Sequence, residues 1–146
     1  MTFASTTTRY GNPAFDCGGA QIRAHCRHLA TVVAVHGAIE PGNVDRIGAY
    51  IRQCARVKNS LVLDLSGVNS FAPVGFSLVY LVDEECGAAG VQWLLVASPA
   101  VMEVLRDYYD EAAFPVTSSV HEALHNLADT IVRRRQLLLP LIKKSA

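Results

Sequence analysis

The chain has no apolar run near the ~20 residues of a membrane-spanning helix, no Cys-x-x-Cys pair and no excess of charge of either sign. Lys plus Arg and Asp plus Glu number 13 each, so the basic surplus of a nucleic-acid binder is missing. The opening Met1-Thr2-Phe3-Ala4-Ser5 lacks the basic start and apolar stretch of a secretory signal. The four cysteines, Cys17, Cys26, Cys54 and Cys86, are widely spaced. That spacing suits reduced thiols in a cytoplasmic protein better than a disulfide framework or a structural zinc site. Catalytic signatures are also scarce. G-x-S-x-G, the Walker A loop and G-x-G-x-x-G are all absent. Gly18-Gly19 leads into a strand pattern rather than a helix, so it is no phosphate loop.

What is present is a globular composition: 51% apolar and 18% charged residues over 146 positions, enough for one domain with its own core. Residues 1–19 are rich in Thr, Ser and Gly without period and read as a loose arm. From Ala20, Ile22, Ala24 and Cys26 alternate with polar residues, the period of a half-buried strand. Arg27-His28 reads as a turn into a second strand, Thr31–Val35, giving an antiparallel hairpin. Val44, Ile47, Ile51 and Cys54 then share one helical face. Ser60–Leu65 is a nearly continuous apolar strand, and Ser66–Ala72 reads as a loop into a helix that Pro73 opens and Gly87 and Gly90 close. Gln92–Ala97 is a further strand. Ser98-Pro99 caps a helix whose inner face is Val101, Leu105 and Tyr108. Phe114-Pro115-Val116 is a short edge segment, and Ser119-x-x-Glu122 is a capping box ahead of the stripe Val120, Leu124, Leu127 and Ile131. Strands alternating with helices predict an α/β domain with a mixed, mostly parallel sheet of four to five strands and about four helices packed on it. The domain spans 20–132. The segment 133–146, with Arg133-Arg134-Arg135, Leu137–Ile142 and Lys143-Lys144, reads as a frayed helix end with cations on its dipole; a membrane-surface or partner anchor is the alternative.

One enzymatic motif stands out. His121-Glu122-Ala123-Leu124-His125 has the spacing of a zinc peptidase helix, two imidazoles at i and i+4 with a glutamate base. Against it, no His, Glu or Cys follows His125 to complete the ligand set. The pair also falls beside, not on, the apolar stripe, and Glu122 is engaged by the capping box. No metal and no cofactor is expected, and the chain reads as a non-enzyme.

Five segments in order, across about residues 20 to 129, resemble the STAS family of bacterial anti-sigma factor antagonists. They are Gly37-Ala38-Ile39-Glu40, Leu61-Val62-Leu63-Asp64-Leu65-Ser66-Gly67-Val68, Ala72-Pro73-Val74-Gly75, Ser98-Pro99-Ala100-Val101, and Phe114-Pro115-Val116 with Val120–Leu124. The resemblance implies a STAS-like fold and a protein–protein interaction role in regulation of transcription. The partner would be an anti-sigma factor of the serine kinase type or a related regulator, with a homodimer as a further option. It also implies a switch, phosphorylation of a hydroxyl residue at a helix head, where the added charge of about −1.5 to −2 disrupts docking.

The chain departs from the family at that head. Ala72 stands at the family's aspartate, and Pro73 and Val74 stand at its two phosphoacceptor positions. Gly75 is retained, Phe76 takes a leucine position and Ser77 replaces a glycine. The reading is therefore an antagonist-like binder without the usual phosphoswitch; Ser66, Ser70 and Ser77 are nearby hydroxyls with turn and cap roles. The expected contact residues are Glu40, Asn69, Ser70, Phe71, Ala72, Pro73, Val74, Phe76, Ser77 and Tyr80. In this reading Val74, Leu78, Leu81 and Val82 supply the core stripe of the helix, leaving Phe76 and Tyr80 on a partner-facing side.

Overall fold

The computed structural model describes residues 14–27, 30–56, 59–108 and 115–145, with backbone alone for 108, 131 and 134–145. The elements run β1 (Phe15–Asp16), β2 (Ala20–Cys26), β3 (Ala30–Ile39), α1 (Val44–Ala55), β4 (Ser60–Phe71), a 3-10 turn (Pro73–Gly75), α2 (Phe76–Ala89), β5 (Trp93–Ala97), α3 (Pro99–Tyr108), β6 (Val116–Thr117) and α4 (Val120–Ser145). Among the described residues the sheet has six strands in sequence order. β1, β2 and β3 pair antiparallel, and β3, β4, β5 and β6 pair parallel. The mixed, mostly parallel sheet stands as expected, with two short edge strands completing it.

The layering follows from crossover handedness. Each parallel connection steps to the next strand in the same direction, and right-handed crossovers of that kind place α1, α2 and α3 on one face. That face holds the main core: Ile22, Val33, Val35, Leu61, Leu63, Leu65 and Leu95 of the sheet against Ile47, Ile51, Val79, Val82, Val101 and Leu105 of the helices. Three buried residues, Val44, Ile47 and Ile51, anchor α1, each contributing about 1.5–3 kcal/mol. α4 covers part of the other face, where Ala123 and Leu127 meet Ala30, Val32, Val62 and Val96. Local signals act as expected at two helix starts. The Ser98 hydroxyl accepts the Val101 N–H at 3.3 Å, and the Ser119 hydroxyl accepts the Glu122 N–H at 3.1 Å.

Several expectations are corrected. The ordered fold starts before Ala20, because Phe15 and Asp16 pair with Ile22 and Gln21 and Cys17 is fully buried. Ser66–Phe71 is not a loop but the second half of β4. Its turn-like composition is accommodated by two register shifts against β3, between Ala34 and His36 and between Gly37 and Ala38, where β4 carries the additional residues. The capping box is half made: the Glu122 carboxylate accepts the Ser118 hydroxyl at 2.6 Å. The α4 backbone stays helical to Ser145, beyond the point where fraying was expected. α2 ends at Gly90 (φ 71), a left-handed position that suits glycine; Gly87 lies inside the helix. His28, Phe114 and the side chains of Tyr108, Ile131, Arg134, Arg135, Leu137–Ile142 and Lys143-Lys144 lie outside the described residues, as do residues 1–13.

The burial phase of α2 also differs. Phe76 is only 6% exposed while Val74 is 40% exposed. The cause is the 3-10 turn, which turns by about 3.0 residues instead of 3.6 and so rotates Val74 outward. The buried stripe is Phe76, Val79, Val82 and Cys86 with Leu78 beside it.

Candidate partner-binding surface

Strand ends position the surface. β3 and β4 finish in register, Ile39 opposite Phe71, so Glu40 and Ala72 leave the sheet side by side. The Ala72 N–H donates to the Ile39 carbonyl at 2.9 Å, fastening the two exits together. Ala72 is extended (φ −70, ψ 151), and Pro73 then opens the 3-10 turn, where its missing N–H costs nothing. Below it, the Phe71 and Phe76 rings meet edge to face, centroids 6.0 Å apart at 80°. A Cβ on Gly75 would sit 2.5 Å from Phe71 Cε1, so glycine at 75 is what lets that ring pack under the turn.

The expected contact residues divide in two. Glu40, Asn69, Ser70, Pro73, Val74, Ser77 and Tyr80 are exposed and Ala72 is half-buried, spread over the strand exits and the first turns of α2. Phe71 and Phe76 are buried at 6% exposure each. They lie under the turn rather than on its face, because the edge-to-face pair is satisfied within the chain. Tyr80 is 43% exposed and lines, with Ser77, an open groove of about 580 Å³ between α1 and α2. Asp45, Gly48, Arg52 and Glu84 are among its other walls.

The head is a poor anion cradle. A phosphate site at a helix N-terminus needs several free N–H groups. Here the Ala72 N–H is taken by Ile39, Pro73 has none, and the Gly75 N–H donates to the Ala72 carbonyl at 2.8 Å. Among the nearby hydroxyls, Ser66 donates to Asp64 Oδ1 at 2.6 Å; Ser70 and Ser77 are exposed.

One residue escaped the sequence reading. Asn43 is 1% exposed. Its amide donates to the Gly18 carbonyl at 3.0 Å and the Ala38 carbonyl at 2.8 Å, and its Oδ1 accepts the Glu40 N–H at 2.9 Å. It clamps the loop that carries Glu40 to the β1–β2 turn. An Asn directly before the first apolar position of a helix signals an N-cap, but this side chain makes no cap bond and reaches backward instead.

The remaining chemical candidates do not assemble a site. His121 and His125 are exposed on α4, and His125 Nε2 lies 3.5 Å from Asp129 Oδ2. Among the described residues no three His, Cys, Asp or Glu side chains are grouped to hold a metal. Burial pushes the thiols of Cys54 and Cys86 up to about 11, which makes them weak nucleophiles. Among the described residues no helix is long and apolar enough to cross a membrane.

Among the described residues a six-stranded mixed sheet, three helices on one face and a fourth on the other define an α/β domain with an exposed helix head at the strand exits. The chain belongs to the STAS domain family, whose model matches residues 21–123. It is 55% identical over 146 residues to Osmosensory protein A of Mycobacterium tuberculosis, covering 97% of this chain and 92% of that one. Its fold is similar to an anti-sigma factor antagonist from Mycobacterium paratuberculosis, with a TM-score of 0.69 at 22% identity over 75% of this chain and 94% of that one. It is also similar to the anti-sigma factor antagonist SpoIIAA in its unphosphorylated form, with a TM-score of 0.61 at 15% identity over 74% and 96%.

Proposed function

We propose that this chain is a non-enzymatic interaction module of transcriptional regulation. It would act in the bacterial cytoplasm as an anti-sigma factor antagonist that contacts an anti-sigma factor of the kinase type through the α2 head. The observation that carries the reading is the exposure of the α2 head and the strand exits. Glu40, Ser70, Pro73, Val74 and Ser77 are each exposed, the Ala72–Ile39 bond ties the two strand exits beside them, and Val74 leaves an apolar side chain 40% exposed at the opening of the turn. Exposed apolar and polar side chains on a tied backbone suit protein recognition. Family membership and the likeness to anti-sigma factor antagonists support the kind of partner. The name of the 55% identical relative points to osmotic stress as the setting.

In this reading the contact is not gated at the α2 head, since Ala72-Pro73-Val74 offers no hydroxyl and the turn offers few free N–H donors. Affinity capture from extract of the native cell, followed by incubation with the captured anti-sigma kinase and ATP, tests both parts. The expected result is specific recovery of the kinase, lost with Val74→Asp at unchanged melting temperature, and an unchanged intact mass after incubation. Stoichiometric phosphate on Ser70 or Ser77 would restore an ordinary switch at a shifted position. Failure to recover any anti-sigma factor, with Val74→Asp inert, would remove the assignment of the surface.

A further inference from the structure

We propose that Cys26 and Cys54 are a redox-responsive thiol pair, closing under peroxide into a disulfide between the end of β2 and the last turn of α1. The placement follows from the direction of α1. Its start is held near the start of β2, where Asn43 bonds Gly18. Midway, Tyr50 stacks on Phe15 at 5.9 Å, and Phe15 pairs with Ile22. The Tyr50 hydroxyl takes a hydrogen bond from the Ala24 backbone. α1 therefore runs along β2 in the same sense. Four residues beyond Tyr50, a rise of about 6 Å along the helix, comes Cys54. Two residues beyond Ala24, about 6.8 Å along the strand, comes Cys26. Ile22, Ala24 and Cys26 alternate onto the same side of β2, the side that α1 covers. The nearness of the two thiols also shows in their electrostatics: after burial, Cys26 is what raises the Cys54 thiol.

A second observation falls at the same place. Thr31 is paired with Cys26 across the hairpin. The Arg27 N–H to Ala30 carbonyl bond closes the turn, which makes Cys26 and Thr31 a non-hydrogen-bonded pair with side chains at close range. Thr31 is 4% exposed, and among the described residues its buried hydroxyl has no hydrogen-bond partner. A buried hydroxyl left unpaired among apolar neighbours is uncommon. Here it stands beside the thiol where an oxygen would be added.

The roles of the two sulfurs differ. Cys26 is exposed and Cys54 half-buried, so peroxide meets Cys26 first. The Cys26 thiolate attacks one oxygen of hydrogen peroxide, the O–O bond breaks, and the departing hydroxide takes a proton and leaves as water. Cys26 is then a sulfenic acid, to which the Thr31 hydroxyl can donate. The Cys54 sulfur attacks the Cys26 sulfur; the S–S bond forms, the S–O bond breaks, and the Cys54 proton leaves with the hydroxyl as a second water. Two thiols and one peroxide give one disulfide and two waters. With its thiol held at about 11, Cys54 resolves rather than initiates. Cys17 and Cys86 are 0% and 1% exposed and stay reduced.

The test uses the whole chain, reduced and then exposed to a small excess of hydrogen peroxide. It is afterwards denatured and alkylated. Reduced protein should carry four alkyl groups, one per cysteine, and oxidised protein should lose two of them. Trypsin should release the segment 24–27 joined to the segment 53–56. Cys54→Ser should give no intrachain link and carry Cys26 on to its sulfinic acid, while Cys26→Ser should keep all its thiols at the same dose. Thermal melts of both variants confirm that they are folded, and Cys26→Ser replaces an exposed side chain. The proposal is overturned by any of three results in the wild-type chain: a link that joins two chains, a link through Cys17 or Cys86, or oxidation of Cys26 to the sulfinic acid with Cys54 still free.

Discussion

Removing the Asn43 side chain is the sharpest way to ask whether the loop around Glu40 is held from within. Asn43→Ala breaks three hydrogen bonds, to the Gly18 carbonyl, the Ala38 carbonyl and the Glu40 N–H. Each such bond contributes about 1 kcal/mol net, and more when the partner is left buried and unpaired. All three are only part-buried, so water can reach some of the freed groups, and the expected loss is about 2–4 kcal/mol. No capping term is added, since the side chain makes no bond to the first turn of α1. For a chain of this size, 1 kcal/mol moves the melting temperature by about 2–4 °C, so a fall of roughly 5–15 °C is expected. Urea denaturation should show a lower midpoint at unchanged slope. Asn43→Asp separates donors from shape. The introduced carboxylate still accepts from Glu40 but faces two carbonyl oxygens, so it should cost at least as much at neutral pH. Its own pKa is raised in the folded state. Part of the loss should therefore be recovered as the pH falls through that raised value toward the ordinary carboxylate range. A change under about 0.5 kcal/mol for both variants would refute the clamp.

Phe76→Asp puts an unpaired carboxylate where a ring 6% exposed now packs on Phe71, so the protein should unfold or lose more than about 4 kcal/mol, read by circular dichroism melting. Tyr80→Asp, at 43% exposure, should cost about 1 kcal/mol or less in the same melt. Gly75→Ala forces a Cβ against the buried Phe71 ring and should destabilise by about 1–3 kcal/mol, whereas a neutral result would mean that the ring has room to move. Burial, then Arg27 and Arg23, hold the His25 imidazole below its ordinary pKa, against the pull of Asp64. The unfolded chain thus takes up this proton first as the pH falls, and stability is lost from the ordinary histidine range downward. His25→Gln should flatten the fall in urea midpoint between neutral pH and about pH 5, and an unchanged slope would show that His25 does not contribute.

What could be read in the sequence is what short-range physics settles. The alternation of Ile22 and Ala24, the spacing of Val44, Ile47 and Ile51, and the Ser98 and Ser119 caps need only one element each, and each appears where its pattern places it. The resemblance to the STAS family placed the α2 head and the Glu40 loop on one side. The parallel register of Ile39 with Phe71 then brings them together. What only the tertiary structure decided depends on a neighbour distant in sequence. Ser66-Gly67-Val68-Asn69-Ser70 has the composition of a loop, but β3 supplies its hydrogen-bond partners and turns it into a bulged strand. Phe15-Asp16 is a strand only because Ile22 and Gln21 lie beside it. Val74 and Phe76 exchange inside and outside because a 3-10 turn shifts the helix phase and Phe71 waits beneath. Asn43 reaches Gly18, 25 residues away in sequence, and no periodicity encodes that. Period and capping are properties of a segment, whereas register, phase and buried hydrogen bonds are properties of a pair. The second partner of each pair is known only once the chain has folded.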